Sequence, residues 1–180
     1  MLIFGFDPGK STGYCQVKIE GKKFIPIDVR VLQPDGVLNW CYEELLNEDP
    51  YDCDVVIVCE DYIINPKVYH YSHQGDSGLA LRLIGMLQLT AHTLGWQFRL
   101  QMPTCKPAGY GFLGSRYERD KKGRHIQDAT AHAMYYCMME RIVDIEVSQM
   151  VQSKDVPKPS GPRKFRKESV AVWHKPGKES

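Results

Sequence analysis

The chain has 180 residues, enough for one domain with a sizeable core and too few for two ordinary ones. With 43% hydrophobic and 25% charged residues it is neither fibrous nor wholly disordered. The formal net charge of +1 conceals an uneven distribution: residues 153–180 hold eight Lys and Arg against three Asp and Glu, while residues 1–152 hold 15 basic and 19 acidic residues, so the near-zero total does not exclude a nucleic-acid partner.

Leu2–Asp7 is an apolar run ending in Asp-Pro-Gly, which predicts a buried strand and a turn. Gly13–Glu20 and Phe24–Leu32 alternate with period two, and short turns join the three strands into an antiparallel meander. The period then changes. Asp35–Glu48 reads as a helix with Asp35 as N-cap and an apolar face of Val37, Leu38, Cys41, Leu45 and Leu46. Asp54–Glu60 is a continuous β-branched run, the pattern of a strand covered on both faces. Residues 61–75 are irregular. Asp76–Gly95 reads as a long helix with a Gly end, Trp96–Met102 as a strand closed by Pro103, and Lys106–Gly123 as a loop or a short helix plus loop. Arg124–Val147 reads as a long helix burying Ile126, Ala129, Ala133, Met134, Cys137, Met138 and Ile142. After Ser148 the apolar pattern fades into a Pro-, Ser- and Lys-rich stretch. The predicted organisation is a domain over 1–149 and a flexible basic tail over 150–180. A meander followed by helix–strand alternation predicts an α/β fold with a mixed five-stranded sheet flanked by helices.

None of the six cysteines forms a Cys-x-x-Cys pair, and four sit in apolar runs, so they read as reduced thiols of a cytoplasmic protein. Neither a signal peptide nor a membrane span is predicted.

Three acids stand out by position. Asp7 ends the first strand, Glu60 ends the fully buried strand, and Asp128 opens the last long helix. If the first and fourth strands are neighbours, the two strand-end carboxylates project together and the helix supplies the third. Clustered buried carboxylates repel unless a cation holds them. An all-oxygen donor set suits Mg²⁺, with Mn²⁺ as substitute, and two such ions serve in-line phosphoryl displacement. Each acid also has an ordinary role available, as turn, strand-end or helix-start residue.

The local sequences sharpen this. Gly5-Phe6-Asp7-Pro8-Gly9, continued to Tyr14, resembles the opening motif of the RuvC family of Holliday junction resolvases. Val55–Glu60 resembles the strand that carries the family's second acid, and Arg124–Ala133 is similar to its last acidic helix, H-x-x-D-A with small residues following. Order and spacing agree over residues 1–142, and the short chain looks most like the phage-encoded branch. The resemblance implies a ribonuclease-H-like fold and divalent-metal-dependent resolution of Holliday junctions and related branched DNA. It implies Asp7, Glu60 and Asp128 as metal-binding and catalytic residues, with Asp7 bridging two ions. His125, i and i+3 with Asp128, would lie beside them as a ligand or as a stabiliser of developing charge. It also implies a homodimer, since a junction offers two symmetric strands, with helix Asp76–Gly95 as a candidate interface.

Met102–Lys106 resembles the P-x-x-[VA]-K segment of these nucleases, so Lys106 is a candidate phosphate contact. Further candidates for DNA binding are Lys10 in the first turn, Tyr62 beside the second acid, Lys121, Lys122 and Arg124 before the last helix, and Arg163, Lys164, Arg166 and Lys167 in the tail. Two readings compete. One is a protein that binds branched DNA without cutting it; the other is a ribonuclease-H-like nuclease with different substrates. His132, one turn beyond Asp128, reads as structural. His70 and His73 lack the Cys partners of a metal site.

Overall fold

The computed structural model describes residues 1–47, 51–63, 74–115 and 124–144. In chain order they form β1 (Leu2–Asp7), β2 (Thr12–Glu20), β3 (Lys23–Leu32), α1 (Pro34–Leu45), β4 (Val55–Glu60), α2 (Gln74–Leu94), β5 (Gln97–Gln101), a 3-10 turn (Pro103–Cys105), α3 (Lys106–Phe112) and α4 (His125–Met139). The predicted tail over 150–180 lies outside the described residues.

The five strands form one mixed sheet in the order β3-β2-β1-β4-β5. β1 pairs antiparallel with β2 and parallel with β4, and β5 adds parallel to β4. The expected adjacency of the first and fourth strands is therefore present. β1 is buried along its whole length, as its unbroken apolar run requires.

Period two sends alternate side chains to opposite faces. Leu2, Phe4 and Phe6 of β1, with Val55, Ile57 and Cys59 of β4, face α1 and α2 and pack with Tyr14, Trp40, Leu83, Ile84 and Leu87. Ile3 of β1, with Val56 and Val58 of β4, faces α4 and packs with Cys15, Val17, Ala129, Ala133 and Cys137. The same alternation carries Asp7 and Glu60 onto the α4 face. Because Phe6 is level with Cys59, the two acids that follow end their strands side by side.

Three details differ from the sequence reading. Gln33, not Asp35, precedes α1 as its N-cap, with Pro34 in the first turn. The buried face of α1 is Val37, Trp40 and Cys41, while Leu38, Leu45 and Leu46 are exposed. The i, i+3, i+4 set anchored by Trp40 fills the space over Phe4 and Phe6, with ring centroids 5.1 Å from each. The last helix also stops earlier than Val147. Arg141 takes φ 55°, its N–H bonds Met138 C=O at 3.2 Å, and the Ile142 N–H bonds Cys137 C=O at 2.8 Å. This is a Schellman end, with Ile142 folding back on the apolar cluster.

Candidate active site

The turn after β1 is short and held by one side chain. The Thr12 hydroxyl donates to Gly9 C=O at 3.2 Å and accepts the Gly9 N–H at 3.3 Å. This ties the loop down and leaves Asp7 at the end of β1, 7% exposed. Helix α4 then lies tightly on the sheet. At Gly13 a β-carbon would run into the His125 backbone carbonyl, so only glycine there lets the start of α4 reach the strand ends. At Gly109 of α3 a β-carbon would likewise strike the Ala131 carbonyl, so glycine also permits the α3–α4 crossing.

These approaches bring the three predicted acids around one point, occupied by the Lys106 ammonium. Lys106 Nζ lies 3.1 Å from Asp7 Oδ1, 2.5 Å from Glu60 Oε2 and 3.0 Å from Asp128 Oδ2. His125 Nδ1 is 2.7 Å from the other Asp7 oxygen, Oδ2. Tyr110, one turn beyond Lys106 on α3, donates its hydroxyl to Asp128 Oδ1 at 2.7 Å. Behind Glu60, His132 Nε2 is 3.0 Å from Oε2, and His132 Nδ1 is 2.8 Å from the Gln101 side-chain oxygen Oε1.

The charges follow from this crowding. Burial raises the Asp7 carboxyl above its ordinary range; the His125 hydrogen bond opposes the rise and Glu60 adds to it. Burial lowers the Lys106 pKa, but Asp7, Glu60 and Asp128 outweigh it and hold the ammonium above the usual lysine value. The hydrogen bond to Asp7 raises His125. Burial, reinforced by the Lys106 charge, pushes His132 down to about 4, so its imidazole is neutral at pH 7.

The donor chemistry suits a hard divalent cation: three carboxylates, with one imidazole at the edge. The spacing is that of carboxylates around an ammonium, and among the described residues no group of three His, Cys, Asp or Glu is already drawn in to metal-ligand geometry. The observation that fits a metal is the convergence itself. Acidic groups from two strand ends and a helix share a single cation.

The remaining candidates are spread more widely. Lys10 is exposed in the β1–β2 turn. Tyr62 is half-buried against the aromatic cluster. Arg124 is 6% exposed, with its guanidinium 5.4 Å from the centre of the Tyr110 ring, so it belongs to the wall of the site and not to an open charged loop. Lys121, Lys122, Arg163, Lys164, Arg166 and Lys167, like His70 and His73, lie outside the described residues. Sequence reasoning missed Tyr110 and Gln101. Tyr110 was legible in principle, as i+4 from Lys106 on a helical turn. Gln101 becomes visible only through register, since β5 pairs it with Glu60.

No family model matches the chain, and no curated protein matches it. Solved structures do. Thermus thermophilus RuvC in complex with Holliday junction substrate aligns with TM-score 0.55 and 17% identity, covering 79% of this chain and 96% of that one. Another T. thermophilus RuvC structure aligns with TM-score 0.53 and 19% identity, with the same coverages. The yeast mitochondrial Holliday junction resolvase Ydc2 aligns with TM-score 0.45 and 15% identity, over 82% of this chain and 79% of that one. By architecture the chain is thus RuvC-like, a ribonuclease-H-like α/β fold with a mixed five-stranded sheet flanked by helices.

Proposed function

We propose that this chain is a divalent-metal-dependent endonuclease that hydrolyses phosphodiester bonds in branched DNA, the four-way junction foremost. The observation that carries the reading is the meeting of Asp7, Glu60 and Asp128 around one positive charge at the strand ends. A pure DNA-binding protein gains nothing from three carboxylates that repel phosphate. The RuvC-like fold supports the substrate class, since a protein of that fold has been seen on a Holliday junction.

In this reading Asp7, Glu60 and Asp128 hold Mg²⁺, two ions in all, with Mn²⁺ as substitute. The bound metal supplies a nucleophilic water at neutral pH and charge stabilisation for the leaving oxygen. The protein's part is placement. Asp7 and Glu60 sit on neighbouring parallel strands of one sheet. Tyr110 fixes Asp128 by its hydroxyl. His125 sits against Asp7 with 42% of its side chain exposed, able to meet a phosphate or a water. Lys106 keeps a positive charge beside the carboxylates, suited to a phosphate oxygen. Lys10, Tyr62, Lys121, Lys122 and the basic tail residues Arg163, Lys164, Arg166 and Lys167 extend the DNA contact, while Arg124 lines the wall of the site against Tyr110. A homodimer would present two such sites to the two symmetric strands of a junction. The cytoplasmic and phage-type assignments belong to this same reading. Among the described residues no helix is long and apolar enough to cross a membrane.

A cleavage panel of four-way, three-way, forked, linear duplex and RNA–DNA hybrid substrates tests the proposal. The four-way junction should be cut fastest with Mg²⁺ or Mn²⁺ and left whole in EDTA. Equal cutting of linear duplex would remove the selectivity. Junction binding without cutting in either metal would make the protein a binder.

A further inference from the structure

His132 is fully buried on α4. Both its ring nitrogens reach side chains at the ends of neighbouring strands, Glu60 on β4 and Gln101 on β5. Those two residues are partners in the parallel register, so their side chains leave the same face of the sheet and meet the same point on the helix.

We propose that His132 is a positioning residue, donating from Nε2 to the Glu60 carboxylate and thereby fixing the orientation in which Glu60 meets metal; this rests on the reading of the three carboxylates as a metal site. The hydrogen-bond inventory sets the tautomer. A neutral imidazole carries one N–H, and an ionised carboxylate only accepts, so the proton sits on Nε2. Nδ1 must then accept, which requires the Gln101 amide to turn over so that its NH₂ takes the place of Oε1, the atom that lies 2.8 Å from Nδ1. The chain of donation runs Gln101 to His132 to Glu60. Its effect is to remove the rotational freedom of a glutamate whose stem is one carbon longer than those of Asp7 and Asp128. Tyr110 holds Asp128 in the same way through its hydroxyl. Hydrogen bonds behind metal-binding side chains are commonly worth about 10–100-fold in metal affinity or activity.

The test measures Mn²⁺ binding by calorimetry on the full chain without DNA, alongside single-turnover cleavage. His132→Leu should fold, as judged by circular dichroism, and bind Mn²⁺ about tenfold or more weakly. His132→Gln, whose amide places an N–H near the Nε2 position, should recover affinity to within about threefold of wild type. If His132→Leu does not fold, Gln101→Leu serves instead, and should weaken Mn²⁺ binding by about threefold in the same direction. Wild-type Mn²⁺ affinity in a folded His132→Leu, or in Gln101→Leu where that variant stands in, overturns the assignment. So does a His132→Gln that is folded and no better than Leu. Failure of the wild-type protein to bind Mn²⁺ at all is a different result, and overturns the reading of the carboxylates as a metal site.

Discussion

The two faces of the sheet are built from different materials. Toward α1 and α2 the contacts are large rings: Phe4 sits 5.1–6.3 Å, centre to centre, from Tyr14, Trp40, Tyr51 and Trp96. Toward α4 they are small, with Cys15, Ala129, Ala133 and glycines that let backbones almost touch. Bulk buries apolar area and tolerates adjustment. Close backbone approach fixes a helix to the sheet within fractions of an ångström and leaves no slack. The catalytic candidates all sit on the second kind of face, where Asp7, Glu60 and α4 must keep register. The first face holds the fold up and the second aims it.

The largest break in that comparison is expected from Phe4→Ala. Emptying the aromatic cluster should cost about 3–5 kcal/mol in denaturant unfolding. Yet folded Phe4→Ala, assayed well below its melting temperature, should retain metal affinity within about twofold, since the cavity lies across the sheet from the acids. Loss of metal binding in step with stability would show that the faces are not separable.

Lys106→Met attacks the other face by charge. Without metal it strands three carboxylates and should destabilise the protein by about 3 kcal/mol. Mn²⁺ should then raise the melting temperature of the variant more than that of wild type, because it supplies the missing positive charge. Equal metal-induced shifts would argue that the lysine and the metal do not share the site.

Gly13→Ala attacks by space alone. The new methyl meets the His125 backbone, so α4 must move, at a cost of about 1–3 kcal/mol. Here, unlike Phe4→Ala, metal affinity should fall out of proportion to stability.

The smallest effect is a pH dependence. His125 has its pKa raised by Asp7 above the ordinary 6.5. A group raised in the folded state stabilises it below the unfolded value, and that stability is lost as pH rises through the folded value. Metal-free wild type should therefore melt higher than His125→Asn below about pH 6.5, and the gap should close at higher pH. A gap independent of pH would mean the imidazolium–carboxylate pair contributes nothing.

The legibility of these features follows their physics. Asp7 and Glu60 were readable because each closes an otherwise apolar strand, and alternation then puts both acids on one face. The end of α2 was readable because Gly95 takes the left-handed position, φ 71°, that ends a helix. The end of α4 was not, because Arg141 takes the same conformation without a glycine to mark it. Periodicity alone favours Leu45 and Leu46 over Trp40, since a helical wheel does not know that Phe4 and Phe6 await a ring. Gln101 and the role of His132 depend on strand register and on the depth of one helix, neither of which local sequence encodes.

The most direct test of the account is Mg²⁺-dependent cleavage of a four-way junction by the full chain beside its Asp7→Asn variant. Wild type should cut, only with divalent metal, and the variant should lose about a thousandfold or more in rate while still binding the junction. An intact junction in Mg²⁺ and Mn²⁺, or an Asp7→Asn variant that cuts as fast as wild type, would contradict it.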